Sequence, residues 1–161
     1  MKTRYIDLIE QTFDFPKDEF KLDGDKLEWN DLPLVELLEK HGTPLRISYL
    51  PKIGEKIEMA RSSFAKAFAT HGYTGRYEYF YCTKSNHFSY VIDKVLNKGV
   101  NLETSSAYDL EMIELLIERG RITKDATILC NGFKDERYIA GIGRLANRGF
   151  NVMPIIDNMA E

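Results

Sequence analysis

Lys84 is the side chain best placed to do chemistry in this 161-residue chain. It closes the run Arg76-Tyr77-Glu78-Tyr79-Phe80-Tyr81-Cys82-Thr83, which Gly75 bounds upstream, and a helix-period pattern begins just after Asn86. The spacing predicts a strand over Tyr77–Thr83 with Lys84 at its carboxyl end, on the rim where α/β proteins place their reactive groups. From position alone, a lysine at a strand end is ordinarily a solvated charge. Its amine becomes a nucleophile only when neutral for part of the time, which apolar walls or a neighbouring cation can arrange. If Lys84 points inward, its best use is a Schiff base with a carbonyl, either of a substrate or of pyridoxal phosphate.

Alternating strands and helices surround that lysine. Leu45–Leu50 reads as a strand and Ile53, Ile57, Ala60, Phe64 and Phe68 as one face of the helix after it. After Lys84 come Phe88, Val91, Ile92, Val95 and Leu96 at helical spacing, closed by Gly99. Val100–Glu103 is a short strand, Ser105 or Ser106 caps the next helix, and Leu110, Ile113, Leu116 and Ile117 line its face. Ala126–Cys130 is a continuous apolar strand with Asn131-Gly132 as its turn, Ile139, Ile142 and Leu145 face inward from the helix that follows, and Phe150–Ile156 is one more strand. Such alternation with short links implies parallel strands and right-handed crossovers, as in a (β/α) barrel or a doubly wound sheet. Upstream, Phe20–Trp29 alternates around Asp23-Gly24-Asp25 as a hairpin, Asn30 or Asp31 can cap a helix carrying Leu34, Leu37 and Leu38, and residues 3–13 suggest a short helix.

Composition narrows the class. Apolar residues make up 43% of the chain and aromatic ones 12%, enough for a folded core. The 22 basic and 25 acidic residues leave a net charge of −3, and no basic cluster offers a footprint for nucleic acid or anionic lipid. Cys82 and Cys130 both fall in predicted strands, as buried reduced thiols do, and neither has a metal-ligand neighbour at zinc spacing. No apolar run approaches the roughly 18 residues of a membrane span, so the expected location is the cytoplasm.

Tyr81-Cys82-Thr83-Lys84-Ser85-Asn86 resembles the strand-end lysine motif of the pyridoxal-phosphate-dependent decarboxylases of the alanine-racemase-like barrel fold, which include ornithine, diaminopimelate and arginine decarboxylases. The segment Asp31–Leu45, with its Gly42-Thr43-Pro44-Leu45 entry, is similar to the one that family carries before its barrel. Asn101-Leu102-Glu103-Thr104-Ser105-Ser106 is similar to its next strand end, and Ile128-Leu129-Cys130-Asn131-Gly132-Phe133-Lys134-Asp135 resembles a run of biosynthetic arginine decarboxylases. Two departures stand out: Thr83 and Ser85 replace the usual Val and Ala or Cys, and Glu103 stands where ornithine decarboxylases carry Asp.

The resemblance implies an α/β fold that is about the first half of a pyridoxal-phosphate-binding TIM-type barrel, residues 45–161, after a helix, hairpin and helix segment, residues 1–44, that in the parent joins a β domain. It implies Lys84 as the catalytic lysine that carries pyridoxal phosphate. Glu103 either orients Lys84 or is a solvated or capping carboxylate. Asn131 and Lys134 either line the rim or, for Asn131-Gly132, form a turn with left-handed backbone. His87 either stacks near the cofactor ring or opens the helix. In the family the phosphate site, the partner of the pyridine nitrogen and the catalytic cysteine come from later sequence, and a dimer partner completes the site. A closed barrel takes about 250 residues, so the chain is expected to be the amino-terminal piece of an enzyme that decarboxylates a basic amino acid, arginine first, and to be inactive alone. Ornithine or diaminopimelate decarboxylation, or a non-catalytic pyridoxal-phosphate-binding module in homeostasis, are the alternatives. Open sheet edges predict self-association as a dimer or higher oligomer.

Overall fold

A computed structural model describes residues 17–159, so the expected helix over residues 3–13 lies outside the described residues. The chain divides into two compact units, Met1–Tyr49 and Leu50–Glu161.

In the first unit, β1 (Phe20–Asp23) and β2 (Lys26–Trp29) form the expected hairpin, with Phe20 opposite Trp29 and Asp23 opposite Lys26. Gly24, at φ +60, takes the left-handed turn position that suits a residue without a Cβ. A third antiparallel strand, β3 (Leu32–Pro33), joins β2. Asn30 and Asp31, expected to cap a helix, instead adopt φ of 50 and 64 in the turn between β2 and β3. Their short side chains tolerate that backbone, and the helix α1 (Leu34–His41) starts from Pro33 without a side-chain cap. Gly42 ends it, its N–H bonded to Leu38 O at 2.8 Å. Trp29 anchors the unit: its indole N–H donates to Glu19 at 3.1 Å, and its ring packs edge-on against Tyr49. The expected strand Leu45–Leu50 is absent, because no described strand pairs with that run.

The second unit begins with α2 (Pro51–His71), which has Pro51 in its first turn and left-handed Gly72 at its end. Strand β4 (Phe80–Cys82) is followed by a 3-10 turn over Thr83–Ser85, α3 (Ser89–Leu96), β5 (Asn101–Thr104), α4 (Ala107–Glu118), β6 (Thr127–Cys130), α5 (Glu136–Asn147) and β7 (Asn151–Pro154). The four strands form a parallel sheet in sequence order, β4-β5-β6-β7. A doubly wound sheet reverses its strand order at a switch point, and none occurs among these strands.

Alternation along the strands separates two faces. Leu102, Thr104, Ile128 and Cys130 are buried, and the aliphatic members of that row join Val91, Val95, Leu110, Ile113, Tyr138 and Leu145 from the three helices in one core. Cys82, Glu103, Leu129 and Met153 are in register across the other face, where Met153 is 49% exposed. Cys82, expected to be buried, is therefore only half-buried, whereas Cys130 is fully enclosed; both are free thiols. Helix α5 is rotated from expectation. Tyr138, Gly141 and Leu145 face the core, while Ile139 is exposed. Phe88 likewise sits outside the core, before α3 begins, and is 52% exposed. No helix among the described residues is long and apolar enough to cross a membrane.

Candidate functional site

Side-chain hydroxyls tie the carboxyl end of β4 to β5 and that of β5 to β6. Thr83, fully buried, donates to Glu103 O at 3.0 Å, and Thr104, fully buried as well, donates to Leu129 O at 3.3 Å. The Tyr138 hydroxyl lies 2.8 Å from the Thr104 hydroxyl and is left to act as its donor. Burial pushes the Tyr138 phenol well above its ordinary range and raises the Cys130 thiol. At the amino ends, Asn101 bridges Glu78 and the Thr127 N–H, and Asn151 donates to the Thr127 hydroxyl.

Lys84 occupies the turn after β4, with an exposed side chain that makes no hydrogen bond or ion pair with the described residues. Its backbone, by contrast, is held from both sides. Ser85 donates to Cys82 O at 2.8 Å, Tyr81 donates its phenol to Asn86 O at 2.9 Å, and Asn86 accepts from the Phe88 N–H. The turn thus presents Lys84 while leaving its amine available.

Glu103 is one strand over, in register with Cys82. Its carboxylate accepts from the Asn131 side-chain amide at 3.2 Å, and the Asn131 backbone N–H donates to Thr104 O at 2.9 Å. The turn role expected of Asn131-Gly132 and the rim role therefore coexist. Gly132, at φ +76, sits so close to β5 that a Cβ would meet Ser105 O at 2.6 Å. Ser106, not Glu103, caps α4, in an arrangement in which Asp109 accepts from the Ser105 N–H at 2.7 Å. His87 is exposed, with its ring 6.1 Å from that of Phe88. Lys84, Glu103 and Asn131 are thus brought to one rim, and His87 lies in the loop that follows Lys84.

Two features are not legible in the sequence: the burial of Lys134, which the motif names only as a rim candidate, and the cross-strand bonds of Thr83 and Thr104. Lys134 is 5% exposed and donates to Gly132 O at 2.7 Å and to Ile155 O. Thr83 and Thr104 act as cross-strand donors, for which a threonine at a strand end is the only sequence signal. A cavity of about 260 Å³ at the opposite end of the strands, lined by Leu96, Gly99, Asn101, Arg121 and Thr123, includes none of the expected site residues.

A primary amine, a carboxylate and a carboxamide on neighbouring strand ends form a donor set suited to carbonyl and proton chemistry. No group of three or more metal-ligating side chains occurs among the described residues.

No protein-family model matches the chain. It is 31% identical over 117 residues to a biosynthetic arginine decarboxylase of Prochlorococcus marinus, covering 67% of this chain and 17% of the relative. It is 30% identical over 145 residues to biosynthetic arginine decarboxylase 2 of Synechocystis, covering 81% of this chain and 22% of the relative. The chain thus spans about a fifth of the length of these curated relatives. Among solved structures, the biosynthetic arginine decarboxylase of Campylobacter jejuni superposes with a TM-score of 0.68 at 24% identity, over 99% of this chain and 27% of that one. That likeness is one of fold.

Proposed function

We propose, from the chain's partial homology to biosynthetic arginine decarboxylases, that it is the lysine-bearing part of a pyridoxal-phosphate-dependent decarboxylase of a basic amino acid, with arginine as substrate and agmatine as product. The four sequential parallel strands are then part of a (β/α) barrel. The observation that carries this reading is the exposed Lys84 amine at the carboxyl rim, without a hydrogen-bond or ion-pair partner among the described residues, with the Glu103–Asn131 pair on the next two strand ends.

Those residues fit the aldehyde end of pyridoxal phosphate. Lys84 supplies the primary amine that would hold it, in a turn fixed on both sides, and an exposed amine can exchange its proton with water or substrate. When bound, the cofactor supplies the electron sink that makes loss of the carboxylate carbon feasible. Glu103 places a carboxylate on the neighbouring strand end, where it would attract a cationic group of the substrate, and Asn131 donates to that carboxylate. His87 lies within the loop that would border the ring. By itself the 161-residue chain is proposed to be inactive, as its share of the relatives' length suggests.

The same reading includes self-association. Strands β4 and β7 are edges of the described sheet, and such edges pair with other strands. A clean monomer by light scattering at working concentration counts against it.

The functional test is release of carbon dioxide from carboxyl-labelled arginine by the protein at the length the cell makes, beside its Lys84→Ala variant. Release from arginine that the substitution stops supports the assignment. Preference for ornithine or diaminopimelate in the same panel moves the substrate, and release unaffected by Lys84→Ala overturns it.

A further inference from the structure

We infer that Lys134 is a positioning residue of the rim: its buried ammonium fixes the Asn131-Gly132 turn and, through Asn131, the Glu103 carboxylate. This role deepens the function proposed above and rests on the carboxyl rim being the reactive face.

A buried ammonium is costly unless its donors find acceptors. Lys134 finds them in two backbone carbonyls, Gly132 O at 2.7 Å and Ile155 O. These belong to the segments that leave β6 and β7, so one side chain clamps two neighbouring strand ends. Ile155 is itself bound to β6, its N–H donating to Cys130 O at 2.9 Å. From the other side, the turn is pressed against β5, where Ser105 O would lie 2.6 Å from a Cβ on Gly132. Held between Lys134 and Ser105, the turn has little freedom, and Asn131 at its start is aimed at β5. There its backbone N–H donates to Thr104 O and its side chain donates to Glu103 at 3.2 Å. Along these bonds Lys134 is two links from the carboxylate. A lysine placed this way orients the site without entering its chemistry.

Nuclear magnetic resonance of the 161-residue chain tests this. In the unmutated protein, a coupling across the hydrogen bond from Lys134 Nζ to the Gly132 carbonyl carbon is expected, and its absence overturns the inference without any variant. In folded Lys134→Met, the Asn131 side-chain amide peak and the Glu103 carboxyl carbon are expected to shift together while core amides stay in place. Lys134→Arg, which can still donate to both carbonyls, is expected to restore them. Borohydride-trapped pyridoxal phosphate at Lys84 is expected to accumulate about tenfold more slowly in the Met variant, since small misplacements at a reactive site cost rate steeply, and to recover in the Arg variant. Unchanged Asn131 and Glu103 signals in Lys134→Met, or trapping at the unmutated rate, overturns the role. Should the unmutated chain trap none at Lys84, the cofactor assignment fails, and the Asn131 and Glu103 signals alone decide for Lys134.

Discussion

The side-chain amide of Asn131 donates to the carboxylate of Glu103 at 3.2 Å, joining the carboxyl ends of β5 and β6. Asn131 is exposed and Glu103 half-buried, so the bond orients more than it stabilises. Asn131→Ala is expected to change unfolding free energy by no more than about 0.5 kcal/mol in urea titration. The same variant is expected to release the Glu103 side chain, seen as averaging of its resonances; a fixed Glu103 would contradict the orienting role.

Gly132 and Gly143 should respond oppositely to alanine. A Cβ on Gly132, at φ +76, would meet backbone at 2.6 Å, whereas one on Gly143, inside α5, would meet no described atom beyond its own helix backbone and chain neighbours within 4 Å. Gly132→Ala is expected to cost at least about 2 kcal/mol, from a strained backbone and a carbonyl that cannot yield. Gly143→Ala is expected to stabilise by about 0.5–1 kcal/mol through helix propensity. Paired urea titrations check both.

Tyr138 gives the fold an alkaline limit. Its phenol is pushed up from 10.0 by burial, so above that pH the unfolded chain loses a proton the native chain keeps. The contribution of this group is full below pH 10.0 and is lost as pH rises above it, by about 1.4 kcal/mol per pH unit. Cys130, raised from 9.0 by burial, adds a loss of the same sign. Tyr138→Phe removes the hydrogen bond to Thr104 and is expected to cost about 1 kcal/mol at neutral pH. In return its stability is expected to decline less steeply with alkalinity; equal slopes for the two proteins would contradict the assignment.

Much of the second unit was legible because its signals are local. Apolar residues at helical spacing in α3 and α4, and glycines after each helix, mark elements without reference to anything distant. What failed depended on partners far along the chain. Leu45–Leu50 has strand composition, but a strand exists only where another pairs with it. In α5, reading Ile139, Ile142 and Leu145 as the inward face overlooked that Gly141 can serve as a core position. Counting it makes Tyr138, Gly141, Ile142 and Leu145 one stripe at i, i+3, i+4 and i+7. Lys134 lies between Phe133 and Asp135 in a loop, and nothing there announces burial; one acceptor is 21 residues away. At the rim, motif order placed Lys84, Glu103 and Asn131 on successive strand ends, but the Glu103–Asn131 bond required the sheet register.

The Ser106 cap is a further check on how the rim is built. Its hydroxyl accepts from the Asp109 N–H at the start of α4, directly after β5. Ser106→Ala is expected to destabilise by about 1 kcal/mol in thermal or urea unfolding. Ser106→Asp, which retains an acceptor at a helix amino end, is expected to recover most of that loss.

In the proposed function, Lys84 is the amine that takes pyridoxal phosphate. Incubating the chain with the cofactor, reducing with borohydride and mapping the modified peptide by mass spectrometry tests it directly. Label concentrated on Lys84, and lost in Lys84→Ala without transfer to Lys134 or other lysines, is the predicted result. Label distributed over surface lysines, or found at a different residue, would contradict it.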